Sequence, residues 1–189
     1  HRLDHLMIGG GMAFTFMKEM GLSVGTSLIE FDRLGAARKI LDEAEDYGVD
    51  IRIPIDIVVA PSAARPDLAE TVPVDAIPDK MAGLDIGPGT VEEFGKIIRK
   101  SCTVVWNGPM GVFEIPPFDN GTRGIAMALA EVTGNGTVTV VGGGDSVRAV
   151  MEAGLEDRIT FVSTGGGASL KLLQGSDLPA LTALGGAKK

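Results

Sequence analysis

The chain is poor in the residues that carry most metal and redox chemistry: one cysteine, two histidines, one tryptophan and one tyrosine in 189 residues. Cys102 with His1 and His5 can furnish neither a disulfide framework nor a Cys/His zinc site. Cys102 precedes an apolar run and reads as a small buried hydrophobe. Positive charge is also scarce, with 17 bases against 25 acids and a net charge of −8. No cluster of lysines or arginines offers a footprint for nucleic acid or an anionic membrane, so any phosphate binding must be local. No apolar stretch approaches the roughly 20 residues of a membrane span. The start lacks a basic region followed by a hydrophobic segment and a cleavage site. The cytoplasm is therefore the expected compartment, and His1 in place of methionine points to a processed chain or a fragment.

What the chain has is 44% hydrophobic residues, enough to exclude disorder, and 27 glycines. Glycine triplets stand at positions 9–11, 142–144 and 165–167, without a collagen period or a serine-rich linker. Six short apolar runs recur, at residues 3–8, 49–53, 55–60, 102–106, 137–141 and 159–162. Most are continuous, which suits parallel strands buried on both faces. Between them, residues 32–47 predict a helix with the stripe Leu34, Ala37, Leu41 and Ala44, capped by Asp32 and ended by Gly48. A second helix starts at Thr90, where Thr90 and Glu93 spell a capping box ahead of Phe94, Ile97 and Ile98. Residues 54–88, rich in proline, read as an irregular excursion with a small antiparallel strand near 71–74. Alternation of strand and helix predicts a three-layer α/β fold, a parallel sheet with helices on both faces and ligands at the carboxyl ends of the strands.

All three glycine triplets fall at such ends. A glycine turn between strand and helix lets backbone amides converge on an anion, because no Cβ blocks the approach and the helix N-terminus adds partial positive charge. Neither Gly-x-Gly-x-x-Gly nor a P-loop is spelled here. One such triplet alone is more often a packing turn; three on one edge imply a shared anionic ligand. Asp145, which follows Gly144, reads either as an N-cap or as a carboxylate that meets phosphate through magnesium. Ser146 can donate to a phosphate or help cap. The loop Trp106-Asn107-Gly108-Pro109-Met110-Gly111-Val112-Phe113-Glu114 mixes an amide, a carboxylate and large apolar groups, which suits a nucleoside or an ordinary core loop.

Read together, Ile8-Gly9-Gly10-Gly11-Met12-Ala13-Phe14, Gly83-Leu84-Asp85-Ile86-Gly87-Pro88, Val105-Trp106-Asn107-Gly108-Pro109-Met110-Gly111-Val112-Phe113-Glu114, Gly142-Gly143-Gly144-Asp145-Ser146 and Ser163-Thr164-Gly165-Gly166-Gly167-Ala168-Ser169 resemble the C-terminal, nucleotide-binding domain of phosphoglycerate kinase. The resemblance runs through nearly the whole chain in the family's order. It implies a Rossmann-like domain and reversible phosphoryl transfer between 1,3-bisphosphoglycerate and Mg-ADP, giving 3-phosphoglycerate and Mg-ATP in glycolysis, in a monomeric full-length protein. By the family's pattern Gly9, Gly10, Leu28, Gly83 and Leu84 line the adenine pocket. Asn107 and Pro109 lie along ribose and phosphates, and Glu114 accepts the ribose hydroxyls. Asp145 holds magnesium, with Gly142, Gly143, Gly144 and Ser146 near the nucleotide phosphates. Thr164, Gly165, Gly166 and Gly167 face the phosphoryl group in transfer.

The resemblance assigns residues 1–189 to most of this domain, without the N-terminal domain that binds phosphoglycerate or an upstream Gly-Gly-Ala-Lys whose lysine contacts the transferred phosphate. The same four letters at Gly185-Gly186-Ala187-Lys188 lie in a tail and are not given that role. The chain alone is expected to be inactive. The alternative is a non-catalytic Mg-nucleotide-binding domain.

Overall fold

Runs of β-branched residues pair as strands, and the amphipathic stretches between them wind into helices that cover the strands. The computed structural model describes residues 3–163 together with 165, 167 and 171. In chain order they form β1 (His5–Met7), α1 (Gly10–Glu19), α2 (Leu34–Tyr47), β2 (Asp50–Arg52), β3 (Asp56–Ala60), β4 (Glu70–Pro73), β5 (Ala82–Ile86), α3 (Pro88–Lys100), β6 (Thr103–Asn107), α4 (Asn120–Gly134), β7 (Val138–Gly142), α5 (Gly144–Glu152) and β8 (Phe161–Ser163). The class is α/β, with parallel strands flanked by helices, as the alternation predicts.

β1 pairs with β2, and β6, β7 and β8 pair in that order, all parallel. Among the described residues no backbone hydrogen bond joins β1 to β6, so the parallel strands form two sets. One core gathers Val104, Trp106 and Val141 from the three-stranded set with Leu129 of α4 and Val150 of α5. The other gathers Phe14 and Met17 of α1 with Ile57 and Val59. Among the described residues, burial of the three-stranded set is one-sided. Val105, Val138 and Phe161 on its other face are 47%, 45% and 61% exposed.

Residues 55–60 do not join a parallel sheet. β3 lies between β4 and β5, antiparallel to both, because a short apolar run reads the same whichever way its partners run. β4 is the small strand predicted near 71–74. β5 has no sequence signal, since Ala82-Gly83-Leu84-Asp85-Ile86 carries a glycine and an aspartate, both depleted in strands. Cys102 is exposed, not buried. It sits in the bend ahead of β6, where its carbonyl accepts the Val138 amide at 3.0 Å.

The helix ends separate local signals from tertiary ones. Gly48 closes α2 as predicted: at φ +67° it takes the left-handed conformation, and its amide donates to the Glu45 carbonyl at 3.2 Å. Asp32 does not cap that helix. It lies in a 3₁₀ turn, Phe31–Arg33, and pairs with Arg33 instead. Nor do Thr90 and Glu93 form a capping box. α3 begins at Pro88, and Glu93 binds Lys96 at 2.6 Å.

The first turn of α3 is served by Asp56 of β3, whose two carboxylate oxygens accept the amides of Gly89 and Thr90 at 2.9 and 2.7 Å. Thr90, 1% exposed, donates its hydroxyl to the same carboxylate at 2.6 Å and accepts the Ile55 amide at 3.0 Å. Asp85 does the corresponding work for α4. Its side chain, 2% exposed, accepts the Gly121 amide at 2.6 Å and the Ile86 amide at 2.9 Å. Glycines make the room, since a Cβ at Gly87 would strike Asp56 and one at Gly111 or Gly121 would strike Asp85.

Two measurements test these strand-to-helix caps. Asp56→Ala removes both acceptors and is expected to cost about 2 kcal/mol, read as a lower urea midpoint at unchanged slope. A loss within experimental error would show the cap to be dispensable. Asp85 titrates differently. Burial raises its carboxyl to about 7 against the pull of the two amides, and the Asp119 carboxylate adds to the rise. The folded state therefore holds a proton that the unfolded chain releases, so this group's stabilisation is complete below about pH 4 and is lost as pH rises through about 7. Asp85→Asn should remove that slope from the unfolding free energy. An unchanged slope would exclude Asp85 as its source.

Candidate functional site

Parallel pairing in register brings three strand ends level: Asn107 stands beside Gly142, and Gly142 beside Ser163. The loop leaving β6 is the meeting point of the first two glycine triplets. Gly10, at φ +61°, brings its backbone against the Pro109 carbonyl, where a Cβ would clash. Gly143, at φ +92°, lies against the Asn107 side-chain amide, which a Cβ would meet at 3.3 Å. Both need a left-handed backbone that glycine adopts at little cost.

Two buried hydroxyls fix this loop from the helices beneath. Ser146, fully buried on α5, accepts the Gly108 amide at 2.6 Å. Thr122, 1% exposed on α4, accepts the Met110 amide at 3.0 Å. Ser146 is thus committed to the loop and neither caps α5 nor reaches outward. Asp145 does not cap it either. The N-cap of α5 is Gly143, and Asp145 sits exposed in the first turn, where the helix's positive end favours a carboxylate. Among the described residues it forms no ion pair.

The residues expected to line an adenine pocket, Gly9, Gly10, Leu28, Gly83 and Leu84, each have their own packing partners. A Cβ at Gly9 would strike the Met110 sulfur, and one at Gly11 would touch Leu28 at 3.7 Å. Gly83 is pressed against Phe14 and Ile57, and its amide donates to Ser27 Oγ at 2.8 Å. The Leu84 carbonyl accepts the Val112 amide at 2.8 Å, tying β5 to the same loop. Leu28 is 72% exposed. Gly9 and Gly83 are thus closely packed against side chains, and Leu28 is the exposed member of the set. Trp106 and Phe113 belong to the protein interior, 4% and 8% exposed, so the ordinary core reading holds for both. Glu114 is exposed at the loop's far end and pairs with Arg148 at 3.2 Å.

The third triplet is only partly visible. Gly165 and Gly167 are exposed, while Thr164 and Gly166 lie outside the described residues. Among the described residues no three histidine, cysteine or acidic side chains cluster as a metal site. A single outward carboxylate beside glycine amides fits a magnesium ion that arrives bound to phosphate, which needs one or two protein carboxylates. It does not fit an all-protein cage.

Sequence reasoning missed Thr122, Asp85 and Arg148 as parts of this site. No local pattern marks a threonine that reaches back to a loop 12 residues earlier. Arg148 did have a signal, because three residues after Asp145 places it on the same helical face.

A profile of the phosphoglycerate kinase family matches residues 1–176. Phosphoglycerate kinase of Chlorobium phaeobacteroides is 51% identical over 184 residues, which cover 97% of this chain and 46% of the relative. The cytosolic phosphoglycerate kinase of Triticum aestivum is 50% identical over 183 residues, with the same two shares covered. The solved structure of phosphoglycerate kinase from Coxiella burnetii superimposes with a TM-score of 0.91 at 40% identity, covering 97% of this chain and 46% of that one. The chain thus spans about half the length of the curated relatives it matches. With a profile match over most of its length, the chain belongs to the phosphoglycerate kinase family.

Proposed function

We propose that this chain is the Mg-nucleotide half of a phosphoglycerate kinase, which transfers a phosphoryl group reversibly between 1,3-bisphosphoglycerate and ADP to give 3-phosphoglycerate and ATP. The observation that carries the reading is the convergence of the 9–11 and 142–144 triplets on the loop of Asn107 and Pro109, with Asp145 one helical position beyond. In this reading Gly9, Gly10, Leu28, Gly83 and Leu84 receive the adenine, and Glu114 accepts the ribose hydroxyls. The amides of Gly142, Gly143 and Gly144 face the phosphates. Magnesium arrives with the nucleotide and neutralises charge between phosphate and Asp145. Thr164, Gly165, Gly166 and Gly167 offer amides to the phosphoryl group in transfer.

Such a site works by position and charge, since phosphoryl transfer needs little covalent help but its equatorial oxygens need donors. Ser146 and Thr122 keep the loop rigid and do not touch the nucleotide. Phosphoglycerate reaches the site only through the N-terminal domain of the full-length protein, which acts as a monomer in the cytoplasm. With 25 acids against 17 bases, neither nucleic acid nor membrane is a partner in this reading.

Asp145→Ala should weaken Mg-ADP binding about tenfold while leaving ADP in chelator within about twofold. Equal weakening of both would reduce Asp145 to a helix-end charge. In a coupled assay these 189 residues alone should show no turnover while still binding Mg-ADP. Turnover without added chain would overturn the division of labour, and binding without turnover even in the full-length protein would support a non-catalytic nucleotide-binding role.

A further inference from the structure

Arg148 is given no role in the nucleotide contacts proposed above. It lies one turn along α5 from Asp145, on the same exposed face. Its guanidinium is held on three sides. Nε meets Glu152 Oε1 at 3.1 Å, Nη2 meets Glu114 Oε1 at 3.2 Å, and Cζ lies 4.6 Å from the centroid of the Phe113 ring. The ring is a fixed platform, because Phe113 is 8% exposed and anchored in the interior. A flat, delocalised cation stacks on such a surface and still presents its edge donors, which a lysine cannot do.

Glu114 itself is 45% exposed. A glutamate that free to move samples several rotamers, and ordering it on a ligand costs entropy. Arg148 removes much of that freedom beforehand. The ion pair is made through Glu114 Oε1. The two carboxylates flanking the guanidinium have different surroundings: Glu152 is on the same helix, four residues on, and Glu114 is at the end of the nucleotide loop. The arginine therefore ties the α5 end of the site to the loop end.

We propose that Arg148 is a positioning residue for the ribose: stacked on Phe113 and steadied by Glu152, it holds the Glu114 carboxylate by one oxygen and leaves the other for the sugar hydroxyls. This rests on Glu114 as the ribose acceptor. The ligand class it selects is a nucleotide with free 2′ and 3′ hydroxyls.

The test compares Mg-ADP with Mg-2′,3′-dideoxy-ADP by calorimetry on the wild-type chain and on R148A, R148K, E114Q and the double variant R148A/E114Q. R148A should weaken Mg-ADP about three- to tenfold and leave the dideoxy nucleotide within about twofold. R148K should fall between, keeping charge without the flat fork. The double variant should lose no more than E114Q alone, because both changes act through one contact. If E114Q is selective for the hydroxyls but R148A is not, or R148A weakens both nucleotides equally, the positioning role is overturned. If E114Q is not selective, or wild type binds neither nucleotide, the ribose reading fails first and takes this one with it. Should R148A not fold, R148K against E114Q decides the question by the same criterion.

Discussion

Unpaired amides at the start of a helix must meet an acceptor, and the arrangement of this chain follows from which acceptor each helix is given. α3 receives the Asp56 carboxylate and α4 the Asp85 carboxylate, both from the antiparallel sheet. α1 and α5 begin instead from glycines, Gly9 and Gly143, which supply no side-chain cap. A helix start whose amides already bond a protein carboxyl group has fewer left for an external anion. One that opens from glycine attracts it. The antiparallel sheet thus sorts the helix ends, satisfying two internally and leaving the glycine-flanked pair to face the loop of Asn107 and Pro109.

This sorting is how an acidic chain would receive the anionic ligand proposed for it. Backbone dipoles and a divalent ion act over a few ångströms, whereas net charge acts over a Debye length and is screened. The loop between the two open helices must then be rigid, and that task falls to buried hydroxyls, on Ser146 and Thr122. Their burial matters, because a hydroxyl shielded from water has no competing partner and holds its amide at full strength.

The parallel strands, α2 with its Gly48 stop, the little strand β4 and the strings of the site are all legible in the sequence, because each depends on neighbours within a few residues. Contacts between distant segments are not legible. Asp32 and Thr90 carry good capping letters, yet the acceptor for α3 comes from Asp56, 33 residues before Gly89. Glycine abundance is likewise double in origin. The triplets at 9–11 and 142–144 edge the candidate site, while Gly87, Gly111 and Gly121 make space for buried carboxylates and Gly83 for Phe14. Composition cannot separate the two uses, since both are absences of a Cβ. Ser146 shows the same limit, because its letter suits a phosphate as well as it suits Gly108.

β1 divides its side chains between two interiors: Leu6 packs with the cluster around Phe14, Met7 with the one around Trp106. Its hydrogen bonds run to β2. In amide-exchange terms β1 is the seam between two cooperative units, and its protection is set by whichever unit opens more readily. Loosening either core therefore registers at Gly9 and Gly10, the residues that follow the seam, before it reaches the opposite half of the chain.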